Sequence, residues 1–101
     1  MEFAGFDWDA GNRNKCRKHG VSLHEVESLF SGTVLVSPDP LHSEDEERLK
    51  AFGSTERGRK VLVVFTLRVK DGEIFIRPIS ARYMHKKEVA VYEKETSEIE
   101  K

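Results

Sequence analysis

Residues 60–80 read KVLVVFTLRVKDGEIFIRPIS, and this stretch decides the fold. The unbroken apolar run from Val61 to Phe65 predicts a strand covered on both faces at the centre of a sheet. Asp71-Gly72 is a hairpin turn pair, because both residues tolerate the positive φ that tight antiparallel turns demand. Glu73 to Ser80 then returns as the partner strand. Pro78 inside that partner has no N–H to donate, so it requires an edge, a bulge or the strand end.

Toward the N-terminus, Arg48 to Ser54 reads as a strand and Thr55 to Arg59 as a basic turn around Gly58. Before them, Thr33 to Ser37 is a β-branched run closed by Pro38-Asp39-Pro40, followed by the acidic loop His42 to Glu47. Two short helices precede this region. Ser22 and Glu25 form a capping box, Val21 and Val26 a hydrophobic staple, and Leu23, Val26, Leu29 and Phe30 the apolar stripe closed by Gly32. Asp9 caps an earlier helix from Ala10 to Lys18, ended by His19-Gly20. Phe3, Phe6 and Trp8 fit an opening strand or anchored arm. At the other end, Met84 to Ile99 is helix-forming, with Val89, Tyr92 and Ile99 at helical spacing. The expected fold class is α+β: a small antiparallel sheet with two N-terminal helices and one C-terminal helix.

A length of 101 residues allows one domain, spanning residues 1–101, and excludes large cofactor folds. The net charge of −1 argues by itself against a nucleic-acid-binding protein, but the charges are segregated. Asn12 to His19 sums to +4 and Arg57 to Lys87 to +7, against −4 for Asp39 to Arg48 and −3 for Glu88 to Lys101. Basic segments of this kind suit an anionic partner. Cys16 stands alone, so neither a disulfide nor a cysteine metal site is expected, and a core-facing helix position suits it. With no signal peptide pattern and no apolar run of membrane-spanning length, the expectation is a cytoplasmic protein without membrane contact.

No phosphate-binding loop, zinc-protease or esterase motif is present. His42 with Asp39, Glu44 and Asp45 is an alternative metal-hydrolase site, but the spacing matches no known metal loop and a solvated acidic turn explains it better. No metal or cofactor is expected. Cations instead mark the ends of elements: Lys15, Lys18 and His19 at the end of the first helix, Arg57, Arg59 and Lys60 before the central strand, and Arg77 and Arg82 late in the last strand, followed by Tyr83. If the strands pair as expected, several of these converge on one side of the sheet. Clustered guanidinium groups hold phosphate and stabilise the extra charge of a pentacoordinate phosphorane. Tyr83 and Trp8 are candidates for base stacking.

Six strings occur in order over nearly the whole chain: Phe6-Asp7-Trp8-Asp9, Lys18-His19-Gly20-Val21-Ser22, Asp39 through Arg48, Arg57-Gly58-Arg59, Val63-Val64-Phe65-Thr66 and Ile79-Ser80-Ala81-Arg82. In these strings the chain resembles the BrnT family. That resemblance implies a RelE-like fold and a metal-independent ribonuclease toxin of a type II toxin-antitoxin system. It also implies neutralisation by a BrnA-like antitoxin, a dimeric DNA-binding protein, in a hetero-oligomer where the toxin itself makes no direct DNA contact. Site residues are implied only where the strings match: Lys18, His19, His42, Glu47, Arg48, Arg57, Arg77 and Arg82. Family members commonly show Arg-Ile-Ile-Ser-Ala-Arg, whereas this chain has Pro78 after Arg77, removing a backbone donor beside a candidate site residue.

RNA supplies its own nucleophile, the 2′-OH, so cleavage needs a base, cations on the phosphate and an acid for the leaving 5′-oxygen. The candidate catalytic residues are Lys18, His19, Glu47, Arg57, Arg77 and Arg82, with Glu47 or His19 as base and the arginines as phosphate clamp. Lys15, His42, Arg48, Arg59 and Tyr83 are the candidate RNA-binding residues, and His42 or Lys18 the proton donor. The competing expectation is a non-catalytic module that binds a DNA-binding antitoxin and acts with it as co-repressor.

Overall fold

The structure, a computed structural model, describes residues 2–43 and 45–99; Glu44 and the His42 side chain lie outside the described residues. The elements run β1 (Gly5–Phe6), α1 (Ala10–Arg17), α2 (Leu23–Leu29), β2 (Val34–Pro38), a 3₁₀ turn (Pro40–His42), β3 (Leu49–Ser54), β4 (Lys60–Lys70), β5 (Glu73–Tyr83) and α3 (Lys86–Ile99). The five-stranded sheet has the order β1-β5-β4-β3-β2. β2 to β5 pair antiparallel as expected, while β1 joins the β5 edge in parallel. The fold is α+β.

Each element has a local cause. Asp71 and Gly72 both take positive φ, 52° and 78°, which is what a two-residue hairpin between β4 and β5 requires. Asp9 and Asn12 cap each other at the start of α1, and Ser22 and Glu25 do the same for α2. Val21 and Val26 are both buried, completing the staple.

The main core lies between α1 and α2 and one face of the sheet, which carries Ala51, Val61, Val63, Phe65, Ile76 and Ala81. Phe30 packs edge-on to Phe65 at 5.3 Å between ring centroids, and Cys16 is fully buried. Gly53 lets α2 approach β3: an added Cβ would lie 2.8 Å from Leu29 Cδ1 and Cγ.

α3 packs on the opposite face, over the row Leu35, Phe52, Leu62 and Arg82, with the Tyr92 hydroxyl donating to the Thr33 carbonyl at 2.8 Å. The expected stripe through Ile99 ends early. Tyr92 and Thr96 are buried, whereas Ile99 is 63% exposed. Thr33 precedes β2, so Tyr92 already sits at the rim of the sheet, and seven further residues carry Ile99 about 10 Å past it. Among the described residues no helix is long and apolar enough to cross a membrane.

Candidate functional site

Arg77 and Arg82 are five residues apart, and in a regular strand an odd spacing puts two side chains on opposite faces. β5 is not regular. Val64 pairs with Ser80 and Phe65 with Pro78, so Ile79 is an extra residue, and the parity changes there. Ile76, Pro78 and Ala81 are buried on the helix-covered side, and Arg77, Ser80 and Arg82 share the other. Pro78, lacking an N–H, is tolerated at this break in the ladder.

The face away from α1 and α2, open except where α3 covers the row ending at Arg82, carries most of the sheet's cations. Arg77 lies opposite Thr66, Arg82 opposite Leu62, and Lys50 opposite Val64; strand alternation adds Arg68 and, one residue before β3, Arg48. The buried Thr66 hydroxyl donates to the Glu47 carbonyl at 2.8 Å. The Glu47 backbone carbonyl, Thr66 and Arg77 therefore lie in one line across the strands. Glu47 also borders a concavity of about 350 Å³ shared with Pro38, Ser43 and Glu46.

Both arginines are held by carboxylates. Arg77 Nη2 donates to Asp9 Oδ2 at 2.7 Å, and its Nη1 lies 3.7 Å from Asp7 Oδ2. Asp7 continues β1 beyond Phe6, which pairs with Ile76, and so stands beside Arg77. The Asn12 backbone hydrogen bond, then the Arg77 contact, hold the Asp9 carboxyl below its ordinary range. Arg82 grips Glu88 on α3 with both terminal nitrogens, at 2.8 and 3.0 Å, which pulls the Glu88 carboxyl down to about 2 and raises the guanidinium further.

The remaining candidates gather elsewhere. Tyr83 returns to the helix-covered side, its hydroxyl donating to Glu25 at 3.1 Å and the Arg59 guanidinium lying 4.0 Å above its ring. Burial, then the Glu25 contact, raises the Tyr83 phenol. Arg57 and Arg59 line a cavity of about 400 Å³ with Ser22, His24, Glu25 and Glu56, where two carboxylates balance the two guanidiniums. Lys15, Lys18 and His19 are exposed at the end of α1. The expected convergence is thus a division: Arg48, Arg77 and Arg82 on one face, bordered by the Glu47 backbone, and Arg57, Arg59 and Tyr83 at the far side of the sheet. Among the described residues no group of three or more His, Cys, Asp or Glu side chains could hold a metal ion; the expected acidic loop includes Glu44 and the His42 side chain, outside the described residues.

A family model, described as the ribonuclease toxin BrnT of type II toxin-antitoxin systems, matches residues 8–88. The chain belongs to the BrnT family. A search of curated proteins found no match. The BrnT match runs from Trp8 through the first turn of α3, so it contains the whole Glu47, Thr66 and Arg77 line and ends on Glu88, the partner of Arg82. BrnT proteins are ribonuclease toxins, so RNA is the substrate and an antitoxin protein the partner. In this BrnT member Asp7, Asn12, Thr66 and Glu88, which hold or border Arg77 and Arg82, carry no site signal of their own in the sequence. Only Asp9 carried a signal, as a helix cap.

Proposed function

We propose that this BrnT-family ribonuclease cleaves RNA on the open face of its sheet without a metal ion. Glu47 takes the proton from a ribose 2′-OH, and the resulting alkoxide attacks the adjacent phosphorus. The bond from phosphorus to the 5′-oxygen breaks, leaving a 2′,3′-cyclic phosphate and a 5′-hydroxyl. Arg77 and Arg82 hold the non-bridging oxygens and stabilise the charge that grows in the phosphorane. Arg48, Lys50 and Arg68 guide the flanking backbone. His42, in the same connection as Glu47, supplies the proton for the leaving oxygen, a role an imidazole performs near neutral pH. Lys18, His19 and Arg57, on the far side, take no chemical step here. The observation that carries this is the line from the Glu47 backbone through Thr66 to Arg77, with Arg77 and Arg82 on one face of β5.

The antitoxin is proposed to be BrnA-like, supplying the DNA contact itself. An apolar groove of about 260 Å³ between α3 and the sheet, lined by Leu35, Phe52, Val91 and Tyr92, adjoins Arg82 and Lys50, and suits an amphipathic acidic segment. Since the substrate is cellular RNA, the enzyme works in the cytoplasm.

The test uses purified protein and an oligoribonucleotide. Wild-type cleavage in EDTA, with cyclic phosphate ends and no cutting at a 2′-deoxy position, is expected. The Arg77→Ala, Arg82→Ala double variant is expected to fold and lose cleavage. Full activity in that folded variant, or cutting at the 2′-deoxy position, would overturn the assignment.

A further inference from the structure

We infer that Asp9 and Asn12 are positioning residues for Arg77, forming one locked unit that sets where its guanidinium meets the scissile phosphate. The inference rests on cleavage taking place on the open face.

Asn12 is 4% exposed, and its side chain is fully engaged. Its Oδ1 accepts from the Asp9 N–H at 2.7 Å, while Nδ2 donates to the Asp7 carbonyl at 2.9 Å and to the Pro78 carbonyl at 2.8 Å. Asp9 is divided just as fully: Oδ1 accepts from the Asn12 N–H at 2.9 Å, and Oδ2 from Arg77 Nη2 at 2.7 Å. A residue serving only as a helix cap needs one oxygen. The second is committed to the arginine.

The unit therefore grips Arg77 twice, once at its guanidinium and once through the carbonyl of the next residue, at the irregularity that turns Arg77 to the open face. Asp7 is bound more loosely. Its Oδ2 is 3.7 Å from Arg77 Nη1, and its Oδ1 is shared with Lys70 Nζ at 3.2 Å. An incoming phosphate oxygen replaces Asp7 at Nη1 while Asp9 keeps Nη2 in place. Pre-orientation of this kind lowers the barrier by avoiding reorganisation when charge develops.

Asp9→Ser and Asp9→Asn separate the two duties, since both side chains remain good N-caps but neither offers Arg77 a second anionic oxygen. Each is expected to leave KM within about twofold and lower kcat for oligoribonucleotide cleavage by about tenfold or more, the scale of a misplaced catalytic group. In an Arg77→Ala background the same changes are expected to alter kcat by less than about twofold, because a residue acting through Arg77 has nothing left to position. Asn12→Ala is expected to follow the same pattern, and where it fails to fold the two Asp9 variants decide. A folded Asp9 variant with wild-type kcat, or one whose loss is as large without Arg77, overturns the inference. Wild-type cleavage by Arg77→Ala itself overturns the open-face assignment beneath it.

Discussion

Arg82 and Glu88 meet through two parallel contacts, Nη1 to Oε1 at 2.8 Å and Nη2 to Oε2 at 3.0 Å, which tie the end of β5 to the first turn of α3. Glu88 Oε1 also accepts from the His85 N–H, so one carboxylate both closes the helix start and pairs the arginine. Because the Glu88 carboxyl titrates at about 2 in the fold and near 4.5 when free, the unfolded chain takes up the proton first. The stability it contributes is complete above the ordinary value and drains away as pH falls toward 2. Glu88→Gln is expected to cost about 1 kcal/mol at pH 7, given that both side chains are partly exposed, with the difference from wild type closing by pH 2. Urea unfolding at several pH values measures this; a gap independent of pH contradicts it.

Arg77 and Arg57 carry the same charge in different company. Arg77→Ala is expected to lower kcat by about 10²- to 10³-fold, as for loss of a donor to a developing oxyanion, while Arg57→Ala stays within about threefold. Glu47→Gln is expected to cost about 10²- to 10⁴-fold, the range of a general base. Single-turnover cleavage assays of folded variants give all three values, and a larger loss for Arg57→Ala moves the chemistry to the far side of the sheet.

Gly53 sits under Leu29, and a Cβ there enters the space of Leu29 Cδ1 and Cγ at 2.8 Å. Gly53→Ala is expected to destabilise by about 1 to 3 kcal/mol through overpacking. Thermal melting reads this directly. An unchanged melting temperature would mean that α2 shifts freely on the sheet.

Val91 is 60% exposed beside the apolar groove next to α3 and touches no proposed catalytic group. Val91→Glu is expected to weaken binding of a BrnA-like antitoxin by at least about tenfold, as buried anchors do, with RNA cleavage unchanged. Titration calorimetry with the purified antitoxin distinguishes this from docking elsewhere, which leaves the affinity as it was.

Burial raises the Cys16 thiol to about 11, so the thiolate required for alkylation is scarce in the fold. Iodoacetamide labelling at pH 8 is expected to be slow in the native protein and to rise in step with unfolding by urea. Fast labelling without denaturant would reveal local opening of α1.

The hairpin, both helix caps and the order of elements were legible because each rests on local chemistry: a turn pair, a capping box, an apolar run. The site was less so. Glu88 lies six residues beyond Arg82, across a helix start, and Asp9 reads as a cap before it reads as a partner for Arg77. β1 pairs over two residues only, too short for any periodicity to announce its parallel direction. The two basic clusters look alike in sequence, and only the register separates them.

Ile79 makes the site depend on chain length as well as on side chains. Removing that single residue would alter no charge and no catalytic group, yet it would restore an even ladder and carry Arg77 toward the helices while bringing Ile76 and Pro78 out to water. A missing codon there is expected to be more damaging than most substitutions, since one count of residues is what puts two arginines five apart on the same face.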